Sequence, residues 1–228
     1  GPNYTTVSAC ASSANAMIDA LNYIRLGLCD VIVTGGSEAA VTIAGMGGFN
    51  SMHALSTRND SPETASRPFD AERDGFVLGE GAGAIVLEEY EHAKARGAKI
   101  YAELVGFGTN SDGVHVTQPS AATMEKAMRL SLSDSKLKPS EIGYVSAHGT
   151  ATDRGDVAET QATEAVFGQK TPISSLKSFT GHTLGACGAL EAWVAIEMMN
   201  RSWFHATANL EDVDMACGNL DYIMGEAR

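Results

Sequence analysis

Apolar residues at Ala14, Met17, Ile18, Leu21, Ile24 and Leu28 recur at helical spacing and predict a helix over 10–28, closed by Gly27 and Asp30. Residues 4–8 before it read as a short strand, and the run DVIVT at 30–34 after it as a buried one. Strand, helix, strand is the pattern of a parallel crossover, which places Cys10 where a strand hands over to a helix N-terminus. Residues 35–80 read as Gly-rich and irregular, with turn chemistry at Arg58-Asn59-Asp60 and Arg67-Pro68.

The pattern then alternates. A strand over 84–89 leads to a short helix ending at Ala95, and Gly97 with a strand at 100–106 marks a boundary between two parts, 1–98 and 99–228. In the second part helices are expected at 121–133, 157–167 and 184–200, and strands at 144–147, at 173–175 and near Tyr222. Such alternation predicts an α/β fold with parallel sheets covered on both faces. Gly79-Glu80-Gly81-Ala82-Gly83-Ala84 fits a dinucleotide pattern, but it opens a strand rather than a helix and reads as a turn.

Composition narrows the class. With 228 residues, 44% hydrophobic and 19% charged, the chain can bury a large core, and 24 Gly against 6 Pro suggest close backbone approaches. Sixteen basic against 28 acidic residues leave −12, which argues against nucleic acid or an anionic membrane as the main partner. The uncharged stretches 1–18 and 39–57 are too polar or too Gly-rich to cross hydrocarbon. No basic segment precedes an apolar one, so no export signal is read and a cytoplasmic location is expected. Cys10, Cys29, Cys187 and Cys217 lack metal-site spacing and suggest neither zinc nor a disulfide framework. Asn-x-Ser/Thr matches at Asn3, Asn59 and Asn200 are weak without an export signal.

Candidate chemistry centres on four side chains. Cys10 lies among the small residues Ser8, Ala9, Ala11, Ser12 and Ser13, which leave room for a substrate. A helix N-terminus stabilises a thiolate by about 0.3–2 kcal/mol, at most ~1.5 pKa units, so a nearby imidazole would be needed as well. His148 directly follows a predicted strand and His182 directly precedes a long helix, the carboxyl-end positions where open α/β sheets gather ligands. Beside a thiol, two imidazoles supply two donors to a thioester oxygen, or a base and an acid. Lys177 follows a strand end, and Asp156 and Glu159, three apart on one helix face, are placed to hold it as an ion pair.

Together these segments resemble the β-ketoacyl-acyl carrier protein synthase family, in its elongating branch within the thiolase-like superfamily. The resemblance rests on VSACASSANA around Cys10, ALSTRNDSPETASRPFDAERDGFVLGEGAGAIVLEEYEHAKARGAKIYAELVGFG at 54–108, AHGTATDRGDVAE at 147–159 and SSLKSFTGHTLGACGALEA at 174–192, all in the family's order. It implies a thiolase-like fold of two related βαβ-rich halves in a layered α/β/α/β/α arrangement, incomplete here. It also implies an acyltransferase that condenses an acyl thioester on Cys10 with malonyl-acyl carrier protein. His148 and His182 resemble the two catalytic histidines, Lys177 the active-site lysine, and Asp156 and Glu159 its acidic network. Thr150, Thr152 and Thr117 fall where the family binds the pantetheine arm. No metal or cofactor is implied. The expected partners are the acyl carrier protein and a second copy of the chain in a homodimer, with Arg58, Arg67 and Arg73 as candidates for docking an acidic carrier.

Departures from the pattern add expectations of their own. The family's segment upstream of the nucleophile and its C-terminal Asn-Ser-Phe-Gly-Phe-Gly-Gly type segment are not in this chain, so the resemblance implies the middle of a longer enzyme. Cys187 stands where Ala is usual, and Ser146 where Asn is common. The tail over 200–223 leaves room for a polyketide or aryl-polyene ketosynthase with the same chemistry. A non-catalytic partner subunit is the reading of another class, and the intact Cys10 speaks against it.

Overall fold

The computed structural model describes residues 1–115 and 118–228. Its first part contains α1 (Ser12–Arg25), β1 (Val31–Glu38), α2 (Ile43–Ser51), β2 (Gly81–Glu88) and α3 (Tyr90–Ala95). There follow α4 (Ala121–Ser135), β3 (Val145–Ser146), α5 (Asp153–Phe167), β4 (Pro172–Ser174), α6 (Lys177–Thr180), α7 (Cys187–Arg201) and β5 (Asp221–Tyr222). The chain forms two compact units, each assembled from separate stretches of sequence.

The first unit comprises Gly1–Thr42, Leu78–Leu104 and Thr183–Ser202. Its β1 and β2 pair antiparallel along their whole length, from Val31 opposite Glu88 to Glu38 opposite Gly81. This corrects the expected parallel crossover: β1 takes as its partner a strand some fifty residues on, running the other way. Gly35 sits at φ 147, and a Cβ there would overlap the backbone oxygen of Gly83, so the close pairing depends on glycine. Helices α1 and α7 pack on this ribbon, while Val31, Val33 and Val86 remain exposed. Cover on both faces therefore does not hold for this pair of strands within the unit. Among the described residues, 4–8 and 100–106 adopt no strand, and Ser8 makes a single bridge, to Cys10.

The second unit comprises Ile43–Val77, Val105–His182 and Trp203–Arg228. Its sheet runs β3-β4-β5 and is parallel, as alternation predicts, with Val145 opposite Ile173 and Ile173 opposite Tyr222. Phe69, Ala147, Ile173, Leu210, Leu220 and Tyr222 form its core, with α4 packed against α5. Helix α2 was not legible as a helix: Gly45, Gly47 and Gly48 each cost about 1 kcal/mol there, and its Phe49 meets Phe76 edge-on at 5.1 Å. Helix α5 begins at Asp153, a turn earlier than its apolar spacing suggests, with Asp153 and Asp156 in the first turn where the helix dipole favours acids. Among the described residues no helix is long and apolar enough to cross a membrane.

Candidate active site

Cys10 belongs to the first unit, at a tight turn immediately before α1. Ala9 adopts φ 52, and the Ser12 hydroxyl accepts from the Ser8 N–H at 2.9 Å while donating to the Ala9 carbonyl at 2.7 Å. The turn, rather than helix, carries Cys10, so the helix starts two residues later than the apolar spacing suggested. Its backbone is held from α7: the Cys187 thiol donates to the Cys10 carbonyl at 3.3 Å, and the Ala189 N–H donates to the Ser13 hydroxyl at 3.1 Å. Small residues permit this approach. A Cβ on Gly36 would lie 2.7 Å from both the Gly185 oxygen and the Ser13 Cβ, and one on Gly188 would lie 3.1 Å from the Ala14 nitrogen. Cys10 is half-buried, and all four cysteines are reduced.

The second unit gathers His148, His182, Lys177, Asp156, Glu159, Thr150 and Thr152. His148 leaves the end of β3, and His182 is fixed by its N–H donating to the Val77 carbonyl at 2.7 Å. The two imidazoles meet edge to face, 5.0 Å between ring centres at 88°, and Phe76 sets its edge against His182 at 5.4 Å. Lys177 is buried, with Nζ 3.2 Å from His148 Nδ1. An ammonium donates only, so Nδ1 is the acceptor and the ring proton is assigned to Nε2.

Two carboxylates shape the backbone around these rings. Glu159 accepts from the His148 N–H at 2.6 Å with one oxygen and from the Gly149 N–H at 2.8 Å with the other. Asp156 likewise accepts from Thr150 N–H at 3.0 Å and Phe69 N–H at 2.8 Å. Gly149 at φ 37 and Ala151 at φ 65 bend the chain sharply, and Ser175 closes the bend by donating to the Gly149 carbonyl at 2.7 Å. Thr150 and Thr152 share a hydroxyl contact of 2.9 Å at this bend. Thr117 lies outside the described residues.

The electrostatics keep both rings neutral. Burial and then the Lys177 charge push the His182 pKa down to about 3. His148 is held well below the usual imidazole value by its dense surroundings, by Lys177 and by His182. His148 is itself exposed, so the Lys177 ammonium 3.2 Å away is the firmer cause. Burial raises Glu159, against the pull of the Gly149 and His148 N–H groups and of Lys177. Burial also lifts Asp156 to about 7, although Arg73 stands 3.7 Å away. That guanidinium is itself raised, because Asp214 takes its shorter contact at 2.7 Å, leaving Asp156 less of its charge.

Arg67 and Arg73 are corrected as docking candidates. Both are buried, Arg67 on Asp70 at 2.9 Å and Arg73 between Asp156 and Asp214. Asp70 was missed; it accepts from Arg67 and from the Glu72, Glu211 and Asp212 N–H groups, which hold its pKa down near 2 against burial. The RPFDAER spacing, with arginines flanking an Asp beside a buried Phe, was its available signal.

The sequence matches the N-terminal β-ketoacyl synthase domain over residues 1–93 and the C-terminal domain over 101–211. Among curated relatives, 3-oxoacyl-[acyl-carrier-protein] synthase 2 of Vibrio cholerae is 47% identical over 238 residues, covering 100% of this chain and 56% of that protein. The mitochondrial 3-oxoacyl-[acyl-carrier-protein] synthase of Arabidopsis thaliana is 47% identical, over 94% of this chain and 48% of that one. Among solved structures, a β-ketoacyl synthase from Burkholderia phymatum superposes with a TM-score of 0.96 at 60% identity, covering 98% of this chain and 54% of that one. A type II polyketide ketosynthase in complex with its acyl carrier protein and bound to the hexaketide gives 0.92 at 38%, over 98% and 57%. The fold is thus the thiolase-like α/β fold of ketosynthases, and the chain belongs to the β-ketoacyl synthase family. It spans about half the length of these relatives.

Proposed function

We propose that the protein containing this chain is a 3-oxoacyl-[acyl-carrier-protein] synthase, an acyltransferase that extends a carrier-bound acyl chain by two carbons. The observation that carries this reading is the pair of neutral imidazoles 5.0 Å apart, one oriented by Lys177 and by Glu159 through its backbone. The Cys10 thiolate attacks the acyl thioester, the carrier thiol leaves with a proton, and the condensation is split into two easier steps. Malonyl-carrier protein then loses CO2, and the enolate oxygen takes hydrogen bonds from the N–H groups of His148 and His182. The resulting carbanion attacks the Cys10 thioester, forming the carbon–carbon bond and releasing Cys10 and a 3-oxoacyl product. Thr150 and Thr152, with Thr117, hold the pantetheine arm. A homodimer, an acyl carrier protein as partner and a cytoplasmic location complete the proposal, as does the division of the chain at 98/99.

A polyketide ketosynthase is the second reading, supported by the 38% identity to the hexaketide-bound enzyme. The larger identity to the Burkholderia β-ketoacyl synthase, 60%, favours neither chain length. Half-reactions of the full-length protein test the proposal. Cys10→Ala is expected to lose acyl transfer by about 10³-fold or more while retaining malonyl decarboxylation, and His182→Ala to lose decarboxylation by about 10²–10³-fold with less effect on transfer. Equal loss of both half-reactions in the two variants overturns the division of roles.

A further inference from the structure

Cys187 has no part in that chemistry, yet its sulfur is 3.3 Å from the carbonyl oxygen of Cys10. A sulfur at that distance lies within about 6 Å of the Cys10 Cα, by simple addition of the covalent distances. Disulfides need their Cα atoms about 4.4–6.8 Å apart, and adding the Cβ and Cα of Cys187 to that reach bounds the pair at about 8.5 Å, so the bridge closes by a change of side-chain rotamer with a small approach of the two turns. The two cysteines also stand at the N-terminal ends of two helices held against each other, Cys10 just before α1 and Cys187 as the first residue of α7. The Ala189 N–H to Ser13 bond and the tight seat of Gly188 on Ala14 fix that juxtaposition. The start of α1 favours a thiolate at Cys10, while the Cys187 thiol donates to the Cys10 carbonyl and sheds that proton before it reacts. Cys10 is partly open to solvent and Cys187 is buried, the arrangement in which an oxidant reaches the first sulfur and only the protein reaches it from behind.

We propose that Cys187 is a resolving cysteine, which captures the oxidised form of Cys10 as a reversible intramolecular disulfide. Hydrogen peroxide is the oxidant. The Cys10 thiolate attacks one peroxide oxygen, the O–O bond breaks, hydroxide leaves and Cys10 becomes a sulfenic acid. The Cys187 thiolate then attacks that sulfur; the S–S bond forms, the S–O bond breaks, and the departing hydroxide takes a proton to become water. Two thiols and one peroxide thus give one disulfide and two waters. The bridge halts acylation while it lasts, and it protects the sulfur from irreversible oxidation to the sulfinic acid. A thiol reductant restores both groups.

The inference rests on the reading of Cys10 as a reactive thiol, and the experiment separates the two. The reduced full-length protein is first alkylated, which tests the reactivity of Cys10 alone. A second sample is treated with hydrogen peroxide, blocked with the same alkylating reagent and digested, and its peptides are weighed with and without reductant. The expected result is a Cys10–Cys187 linked pair, two hydrogens lighter than its parts, with loss of Cys10 alkylation that reductant recovers. In Cys187→Ala the recoverable fraction is expected to disappear and Cys10 to accumulate as sulfinic acid. A bridge from Cys10 to Cys29 or Cys217, sulfinic acid at Cys10 beside an alkylated Cys187 in the parent, or equal recovery in Cys187→Ala overturns the proposal. So does a parent Cys10 that alkylates fully after peroxide; Cys10 that fails to alkylate even when reduced overturns the functional reading instead.

Discussion

Around Cys10 the contacts run between backbones and small side chains, whereas around His148 and His182 they run through buried charge. The first region reaches its geometry because Gly36, Gly188 and Ser13 let α7 sit close to the start of α1. The second reaches it because Asp156 and Glu159 each accept two backbone N–H groups, with Lys177 against one ring. The difference fits two kinds of work. Under the proposed function a nucleophile must be approached, so its surroundings are kept small, and rings proposed to steady a developing negative oxygen must not move, so they are tied at several points. Damage to the two regions should therefore differ in kind and in size.

The largest effect is expected at Asp156. Asp156→Ala leaves the Phe69 and Thr150 N–H groups without their acceptor and takes a carboxylate from the buried Arg73. A loss of about 3–5 kcal/mol in unfolding free energy follows, measured by denaturant titration of the full-length protein. Its pH dependence carries a sign. The folded pKa of Asp156 is raised to about 7, so its contribution is fully present below the unfolded carboxylate value and is lost as pH rises through 7. His182 runs the other way: depressed to about 3, it contributes above the ordinary imidazole range and loses that contribution as pH falls. Between about pH 4 and 6.5 the two slopes oppose each other. Removing Asp156 should expose a stability that rises with pH across that window, and a flat profile in Asp156→Ala would count against the assignment.

In the cysteine region the corresponding break is steric. Gly36→Ala pushes a methyl into the Gly185 oxygen and the Ser13 Cβ, both 2.7 Å from where it must sit. The expected cost is about 1–3 kcal/mol, with slower alkylation of Cys10 as its turn shifts. Unchanged stability would mean that the α1–α7 contact is looser than its distances imply.

This contrast also explains what the sequence made legible. The His148, Lys177 and His182 positions could be read because a charged or titratable residue at a strand end is conspicuous by type. The parallel order of β3, β4 and β5 followed from strand–helix alternation. What stayed hidden depends on partners distant in sequence. The β1–β2 ladder is antiparallel because of a pairing across some fifty residues, and α2 is helical despite three glycines that local propensity counts against it. Arg73 looked like a surface cation since the aspartates that bury it, Asp156 and Asp214, reach it from far along the chain, whereas the Asp70 that holds Arg67 lies only three residues on.

A subtler change should move a proton rather than the fold. The Lys177 ammonium is the second cause, after burial, of the low His182 pKa, and it also lowers His148. Lys177→Met removes the charge while keeping most of the side-chain volume. Histidine-ring NMR of the full-length protein is expected to show His182 neutral at pH 5 in the parent. Its titration should move upward by about one unit, or ~1.4 kcal/mol, in the variant. If the titration stays in place, burial alone keeps the rings neutral, and the role of Lys177 shrinks to donating to His148.

The smallest effect tests whether the cysteine region truly lacks a polar anchor of comparable weight. Ser13 is fully buried, and its hydroxyl receives the Ala189 N–H at 3.1 Å. Ser13→Ala removes that acceptor near the first turn of α7 without adding bulk, for a cost of about 1 kcal/mol. Helix N-termini tolerate such a loss because a neighbouring carbonyl can take over an orphaned N–H. The buried N–H groups on Asp156 have no comparable recourse, since both oxygens of one side chain serve two separated strands of backbone. A Ser13→Ala loss as large as that of Asp156→Ala would erase the contrast. It would make the α1–α7 contact a polar joint rather than a fit of small residues, and Gly36→Ala should then be the milder of the two changes in that region.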